Sequence, residues 1–302
     1  MRLGLHALGI GAGAHRAVID AVAVAADAHG FATLWAGEHV VMVDRPRSRY
    51  PYADDGVIAV PAAADWLDPM VALGFAAAAT ETVRIATGVL LLPEHNPVLL
   101  AKQAASLDRL SGGRLTLGVG IGWSREEFAA LGIPFERRAA RSVEYVAAMR
   151  ALWRDDPATF DGEFASFDEV RVNPKPVAGV PVFFGGNSDA ALRRVATVGD
   201  GWYGFNLAGT DAVAERTGLL HDLCRAAGRA PDEPTVAVAL AEPDVGDVAA
   251  LAAAGVDELV LVESPPEDPA AVADWIGELA RRWLPALRIS STGHRLKEPD
   301  QT

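Results

Sequence analysis

Cysteine is nearly absent: Cys224 stands alone in 302 residues. No intramolecular disulfide can form, and a structural metal site built on several thiolates has no ligands to draw on. Cys224 itself sits in HDLCRAAG, a helical stretch, where a small buried hydrophobe is a better reading than a nucleophile. Long apolar runs are missing as well. Segments such as PMVALGFAAAA fall short of the roughly 18 residues that a membrane span requires. The N-terminal MRLGLHALGI has one basic residue and no extended apolar region, so no secretory signal is expected. Basic charge is scarce too: 27 Lys and Arg against 40 Asp and Glu leave a formal charge of −13. Scattered along the chain, these cations form no bank for a phosphate backbone, which argues against a nucleic-acid partner. The chain also lacks H-E-x-x-H, a G-x-S-x-G elbow and a P-loop lysine, so hydrolysis has no motif to stand on and no metal site is expected. The expectation is a soluble cytoplasmic protein that takes a small-molecule substrate.

What is present is alternation. Short β-branched runs alternate with helix-period segments, the pattern of repeated βα units around a parallel sheet. The strand-like runs are Arg2–Leu8, Thr33–His39, Arg84–Leu92, Arg114–Gly122, Pro181–Gly186, Trp202–Phe205, Thr235–Leu240 and Glu258–Glu263. Helices are expected between them, one opening at Asp68, which fits an N-cap, one near Pro97, and the last over Ala270–Trp283. Eight strands and about eight helices match a closed (β/α)₈ TIM barrel better than a doubly wound sheet. Residues 1–288 are read as one barrel with insertion segments at about 40–67 and 155–180, and 289–302 as a flexible tail. The second insertion reads as a two-stranded excursion turning at Asp161-Gly162.

In such a barrel chemistry gathers at the strand C-termini. Glu38-His39, ending the second strand, has the elements of an acid/base station, or of a histidine that caps a loop. Gly88 lies inside the third strand beside Val89, where glycine marks a bulge, a ligand pressing on the backbone, or simple packing. GVGIGW has glycines at every second position (Gly118, Gly120, Gly122), which does not fit the dinucleotide fingerprint G-x-G-x-x-G. It suits a flat ring lying across the barrel mouth with Trp123 and Glu126 nearby. Gly185, Gly186, Asn187 and Ser188 join a strand to a helix, a step that can hold phosphate or be a plain tight turn capped by Ser188. Arg45, Arg47 and Arg49 form the one local basic cluster, on a long loop whose Tyr50, Tyr52 and Trp66 suggest an aromatic lining.

The segments LWAGEH, RIATGVLLLPEHNPVLLAKQAASLDRLSGGRLTLGVGIGWSREEF, ERRAARSVEYVAAMRALW, FDGEFASF, PVFFGGNSDAALRRVA and GDGW occur in an order that resembles the luciferase-like monooxygenase superfamily. The nearest likeness is to its actinobacterial branch of coenzyme F420-dependent oxidoreductases. The resemblance implies a dimeric barrel with its cofactor ring at the strand C-termini. It implies that Glu38 contacts a deazaflavin ring, that His39 is the acid/base group, and that Gly88-Val89 is a bulge, often with a cis peptide, backing the ring. Gly185 to Ser188 would hold the cofactor phosphate. Arg45, Arg47 and Arg49 could meet an oligoglutamate tail or form a plain solvated loop. Sugar-phosphate dehydrogenases of the deazaflavin group carry Glu and Asn where this chain has WSRE, which puts that substrate class in doubt. The resemblance leaves two other readings open: an FMN-dependent monooxygenase using O₂, and a non-catalytic flavin-binding barrel.

Overall fold

The computed structural model describes residues 1–290. In chain order its strands are β1 (Arg2–Leu8), β2 (Thr33–Ala36), β3 (Arg84–Thr87), β4 (Leu90–Leu91), β5 (Leu115–Gly120), β6 (Ala158–Asp161), β7 (Ser166–Val170), β8 (Val182–Gly185), β9 (Gly201–Leu207), β10 (Thr235–Leu240) and β11 (Glu258–Val262). The helices are α1 (Arg16–His29), α2 (Pro69–Ala78), α3 (Pro97–Leu110), α4 (Arg125–Ala130), α5 (Arg138–Arg154), α6 (Asp189–Val198), α7 (Thr210–Ala226), α8 (Val248–Ala253) and α9 (Pro269–Ser290). Hydrogen bonding runs β3-β2-β1-β11-β10-β9-β8-β5, and β5 returns to β3 through Ile85↔Leu115 and Ala86↔Thr116. The sheet therefore closes into the expected eight-stranded parallel barrel.

The βα turns explain why the chain folds here. Asp68, Asn96, Ser124 and Ser188 each cap the helix that follows by accepting backbone N–H bonds, and Pro69 and Pro97 occupy first-turn positions that need no donor. Opposite the mouth, Arg114 donates to the carbonyls of Ala77, Thr80, Val83 and Ser111, tying α2, β3 and α3 together. The barrel interior is filled by Trp35, Ala86, Phe183, Tyr203, Ala237, Ala239 and Val260, so it is a packed core. Trp35 stacks on Tyr203 with centroids 4.6 Å apart and donates to Glu258 at 2.8 Å. Burial raises the Glu258 carboxyl above its ordinary range, against the pull of Arg2 and of the Trp35 and Thr33 hydrogen bonds.

Several boundaries differ from the sequence reading. The second strand stops at Ala36, short of His39, because the chain lifts off the sheet at the mouth. The third splits into β3 and β4 around a cis Gly88-Val89 peptide, after which Leu90 and Leu91 resume pairing with Val119 and Gly120. The last helix extends past Trp283 to Ser290. The tail assigned to 289–302 thus lies outside the described residues from 291 onward. The second insertion is a hairpin, β6 with β7, whose tip N–H groups at Glu163, Phe164 and Ala165 donate to Glu144 of α5. Cys224 is buried on α7. No helix among the described residues is long and apolar enough to cross a membrane.

Candidate active site

The cis Gly88-Val89 peptide joins β3 to β4 at the C-terminal end of the barrel strand. A β-carbon at Gly120 would stand 2.7 Å from a Val89 methyl, and one at Gly185 would stand 2.9 Å from the other. These two glycines leave room for Val89 alone, which presents a smooth apolar step between β5 and β8. The backbone of Glu38 donates to the Val89 carbonyl at 3.1 Å. Its side chain accepts from Leu91 N–H at 2.6 Å and from His95 Nε2 at 2.9 Å. Burial opposes charge on His95, but the hydrogen bond and charge of Glu38, with Asp68 behind, raise its pKa.

Glu38 and His39 are therefore neighbours in sequence but not partners. The carboxylate that orients His39 is Glu127 of α4: His39 Nδ1–H donates to its Oε2 at 2.8 Å. Glu127 Oε1 also accepts the N–H of Val40 at 2.7 Å and of Val41 at 3.2 Å, and its side chain is wholly buried. With the proton on Nδ1, Nε2 keeps its lone pair and meets Trp123 Nε1–H at 3.3 Å. Trp66 and Trp123 both approach the imidazole edge-on, at 4.9 and 5.7 Å between centroids. The result is a neutral imidazole with one nitrogen fixed and the other aimed into an aromatic enclosure.

Across the mouth, the Gly185–Ser188 step leads into α6. Gly186 has φ +104°, which a residue with a β-carbon rarely adopts. Asn187 is spent locally, donating to the Phe205 carbonyl and accepting from Phe205 N–H, and Ser188 caps Ala191. What remains for an anion here is backbone N–H at a helix N-terminus. Farther along, in the second turn of α6, Arg194 has a buried Nε with no hydrogen-bond partner. Burial and the nearby Arg138 weaken its hold on its proton, while Tyr52 favours the charged form. Arg138 donates to the Gly122 carbonyl at 3.1 Å.

The long loop folds over this mouth. Glu126 receives Arg47 N–H at 2.7 Å and Ser48 N–H at 3.3 Å, so it anchors the loop. Tyr50 packs on Trp123 and Tyr52 on Phe205 at 5.4 and 5.3 Å, and Trp66 donates to the Gly37 carbonyl. Arg45, Arg47 and Arg49 are all exposed, and Arg49 turns back to the Asp54 carbonyl of its own loop.

Sequence reasoning did not find Glu127, His95, Glu94, Arg194 or His6. Glu94 is buried with both carboxyl oxygens unpartnered. His6, under the bulge, touches Tyr203 Oη through Nδ1 at 3.3 Å, and burial pushes its pKa down to about 4. No local signal in SREEF separated Glu127 from Glu126, because successive helical residues point in different directions and burial of Phe128 does not settle which glutamate turns inward.

The profile of the luciferase-like monooxygenase family matches residues 4–300. The chain belongs to that family. An uncharacterised protein of Mycobacterium tuberculosis is 36% identical over 264 residues, covering 87% of this chain and 92% of its own. An FMNH2-dependent dimethylsulfone monooxygenase of Pseudomonas fluorescens is 38% identical over 132 residues, 43% of this chain and 36% of that one. Among solved structures, an F420-dependent secondary alcohol dehydrogenase in complex with an F420-acetone adduct superposes with TM-score 0.73 and 19% identity, over 95% of this chain and all of that one. That last likeness establishes a shared fold. The family makes the chain a luciferase-like oxidoreductase; one relative is FMNH2-dependent, and structural neighbours include F420-dependent enzymes.

Proposed function

We propose that this protein exchanges a hydride between coenzyme F420 and a small organic substrate, with His39 moving the accompanying proton. The observation that carries the reading is the His39–Glu127 pair, which leaves Nε2 unprotonated and met only by Trp123 Nε1–H inside an aromatic enclosure. The residues present fit a tricyclic ring with a phosphate arm. Val89, backed by Gly120 and Gly185, offers a flat apolar support, and the orphaned Nε of Arg194, on the helix that follows Gly186, offers an anion a partner. When bound, a deazaflavin supplies a carbon centre that accepts or releases hydride and reacts poorly with O₂.

The chain's own work is then positional. Glu127 fixes the His39 tautomer, so Nε2 takes a proton from, or as the imidazolium returns one to, an oxygen on the substrate. Glu38, held by His95 and Leu91 N–H, stiffens the segment that carries the bulge. Gly185 to Ser188 and Arg194 would anchor the phosphate, Trp123 would flank the ring, and exposed Arg45 and Arg47 would meet an anionic tail. Tyr50, Tyr52 and Trp66 exclude water and favour an apolar substrate. The working form in this reading is a cytoplasmic homodimer. Helix α2 supports it, being apolar throughout yet exposing Val71 and Phe75, and sedimentation equilibrium tests it.

The FMN reading draws on the dimethylsulfone monooxygenase relative. Titrating apoprotein with F420 and with FMN, followed by fluorescence, separates the two, and tight FMN binding with no F420 binding overturns the first. His39→Ala should leave cofactor affinity near normal and depress turnover by about 10²–10⁴-fold. Unchanged turnover would overturn the proton role, and a barrel that binds cofactor but turns over no substrate would be the non-catalytic reading.

A further inference from the structure

Glu94 is the unexplained group of the site. It ends the single turn Leu92–Glu94 that follows β4, is 7% exposed, and neither carboxyl oxygen has a hydrogen-bond partner. A β-carbon at Gly122 would lie 3.1 Å from its Oε1 and 2.6 Å from the Phe128 ring, so the carboxyl is wedged between the rim loop and the core. The groups that face this wedge come from every element packed around it. Glu38 and His39 follow β2, His95 adjoins Glu94 itself, and Glu127 extends from α4. Asp68 at the start of α2 acts on His95, and Arg138 at the start of α5 is engaged with the Gly122 carbonyl.

Each of the other two carboxylates of this cluster has its own imidazole: Glu38 has His95 and Glu127 has His39. Glu94 has neither a cation nor a donor. A buried carboxylate in that position would be desolvated, unpaired and repelled by two neighbours of like charge. We infer that Glu94 carries a proton as a neutral acid and is a positioning residue that limits the cluster to two negative charges, one for each histidine. The consequence falls on His39. A third negative charge beside Glu127 would stabilise the imidazolium, and Nε2 would then lose the lone pair with which it accepts a proton. Burial, then the charges of Glu127 and Glu38, push the Glu94 pKa up to about 9, which agrees with the geometric argument.

This inference rests on the reading of His39 as the proton-carrying group, but its test does not need turnover. Infrared difference spectra of the full-length protein, wild type minus Glu94→Gln, at neutral pH should contain the carbonyl stretch of a protonated carboxyl. Glu258, also held toward its neutral form, cancels in that difference. In parallel, NMR of the histidine ring nitrogens should show the pH at which His39 gains a proton unchanged by Glu94→Gln, since one neutral group replaces another of the same shape. A carboxylate band in place of the acid band, or a fall of about one pH unit or more in the His39 titration, would overturn the inference. Should Gln unfold the protein, Glu94→Met replaces it with the same expectations. If His39→Ala left turnover intact while the acid band was present, the proton role of His39 would fail and the protonation of Glu94 would stand.

Discussion

Replacing Glu127 by Gln isolates the dyad, because it keeps shape and volume while removing one acceptor. In the native protein Oε1 holds Val40 and Val41 N–H and Oε2 holds His39 Nδ1–H. Gln has one oxygen. If that oxygen stays on the two backbone N–H groups, the amide NH₂ confronts His39 Nδ1, which must give up its proton to Nε2. Nε2–H then points at Trp123 Nε1–H, 3.3 Å away, and two donors face each other. Hydrogen bonds to charged groups contribute about 1.5–3 kcal/mol each, and some survive in the amide, so a stability loss of roughly 2–4 kcal/mol is expected. Turnover should fall about 10²–10⁴-fold, the contribution of a positioned general base. Thermal unfolding measures the first quantity, and ¹⁵N chemical shifts of the His39 ring report the tautomer directly. Wild type should carry the proton on Nδ1 and the variant on Nε2. The same tautomer in both proteins, with unchanged stability, would refute the dyad.

Arg194→Gln should weaken FMN or F420, whichever binds, by about 10–100-fold, the effect of losing one charge-assisted phosphate contact. Riboflavin, which has no phosphate, should bind wild type and variant alike in the same fluorescence titration, and an equal loss for riboflavin would contradict the assignment. Buried His6 makes a separate prediction about acid. Its folded pKa of about 4 lies below the ordinary 6.5, so the unfolded chain binds more protons between those values. Stability from this group is therefore full above pH 6.5 and lost as pH falls toward 4, by roughly 3 kcal/mol at most. Urea midpoints at pH 7 and pH 5 should diverge in wild type and converge in His6→Gln; equal divergence in both would place the acid sensitivity elsewhere.

The barrel was legible in the sequence because its signals are local. Strand runs, N-caps at Asp68 and Ser188, and the alternation of periods are all set within a few residues, and eight repeats leave few architectures. The break at Gly88-Val89 was only partly legible: the glycine in RIATGVLLL left a bulge, a ligand contact or simple packing open, and the bulge with its cis peptide came from the family resemblance. Strand ends were read too long at His39 and Leu92, since apolar sequence continues where pairing stops and the chain turns over the mouth.

Partnership was another matter. Glu38 and His39 are adjacent in sequence, yet successive residues leaving a strand point apart, and each finds a partner about 57 or 88 positions away. Glu126 and Glu127 look alike in SREEF, but the turn of α4 puts one on the rim to hold the loop and buries the other behind His39. Glu94 looks like any acid in a turn until the rim loop closes over it and removes every donor. By itself the sequence determined the barrel of this oxidoreductase and the strand ends at which Glu38, His39, Gly88 and Gly185 stand. Only the closed sheet and the helices packed on it decided which of them meet, because charge, proton and tautomer depend on neighbours that chain order does not bring together.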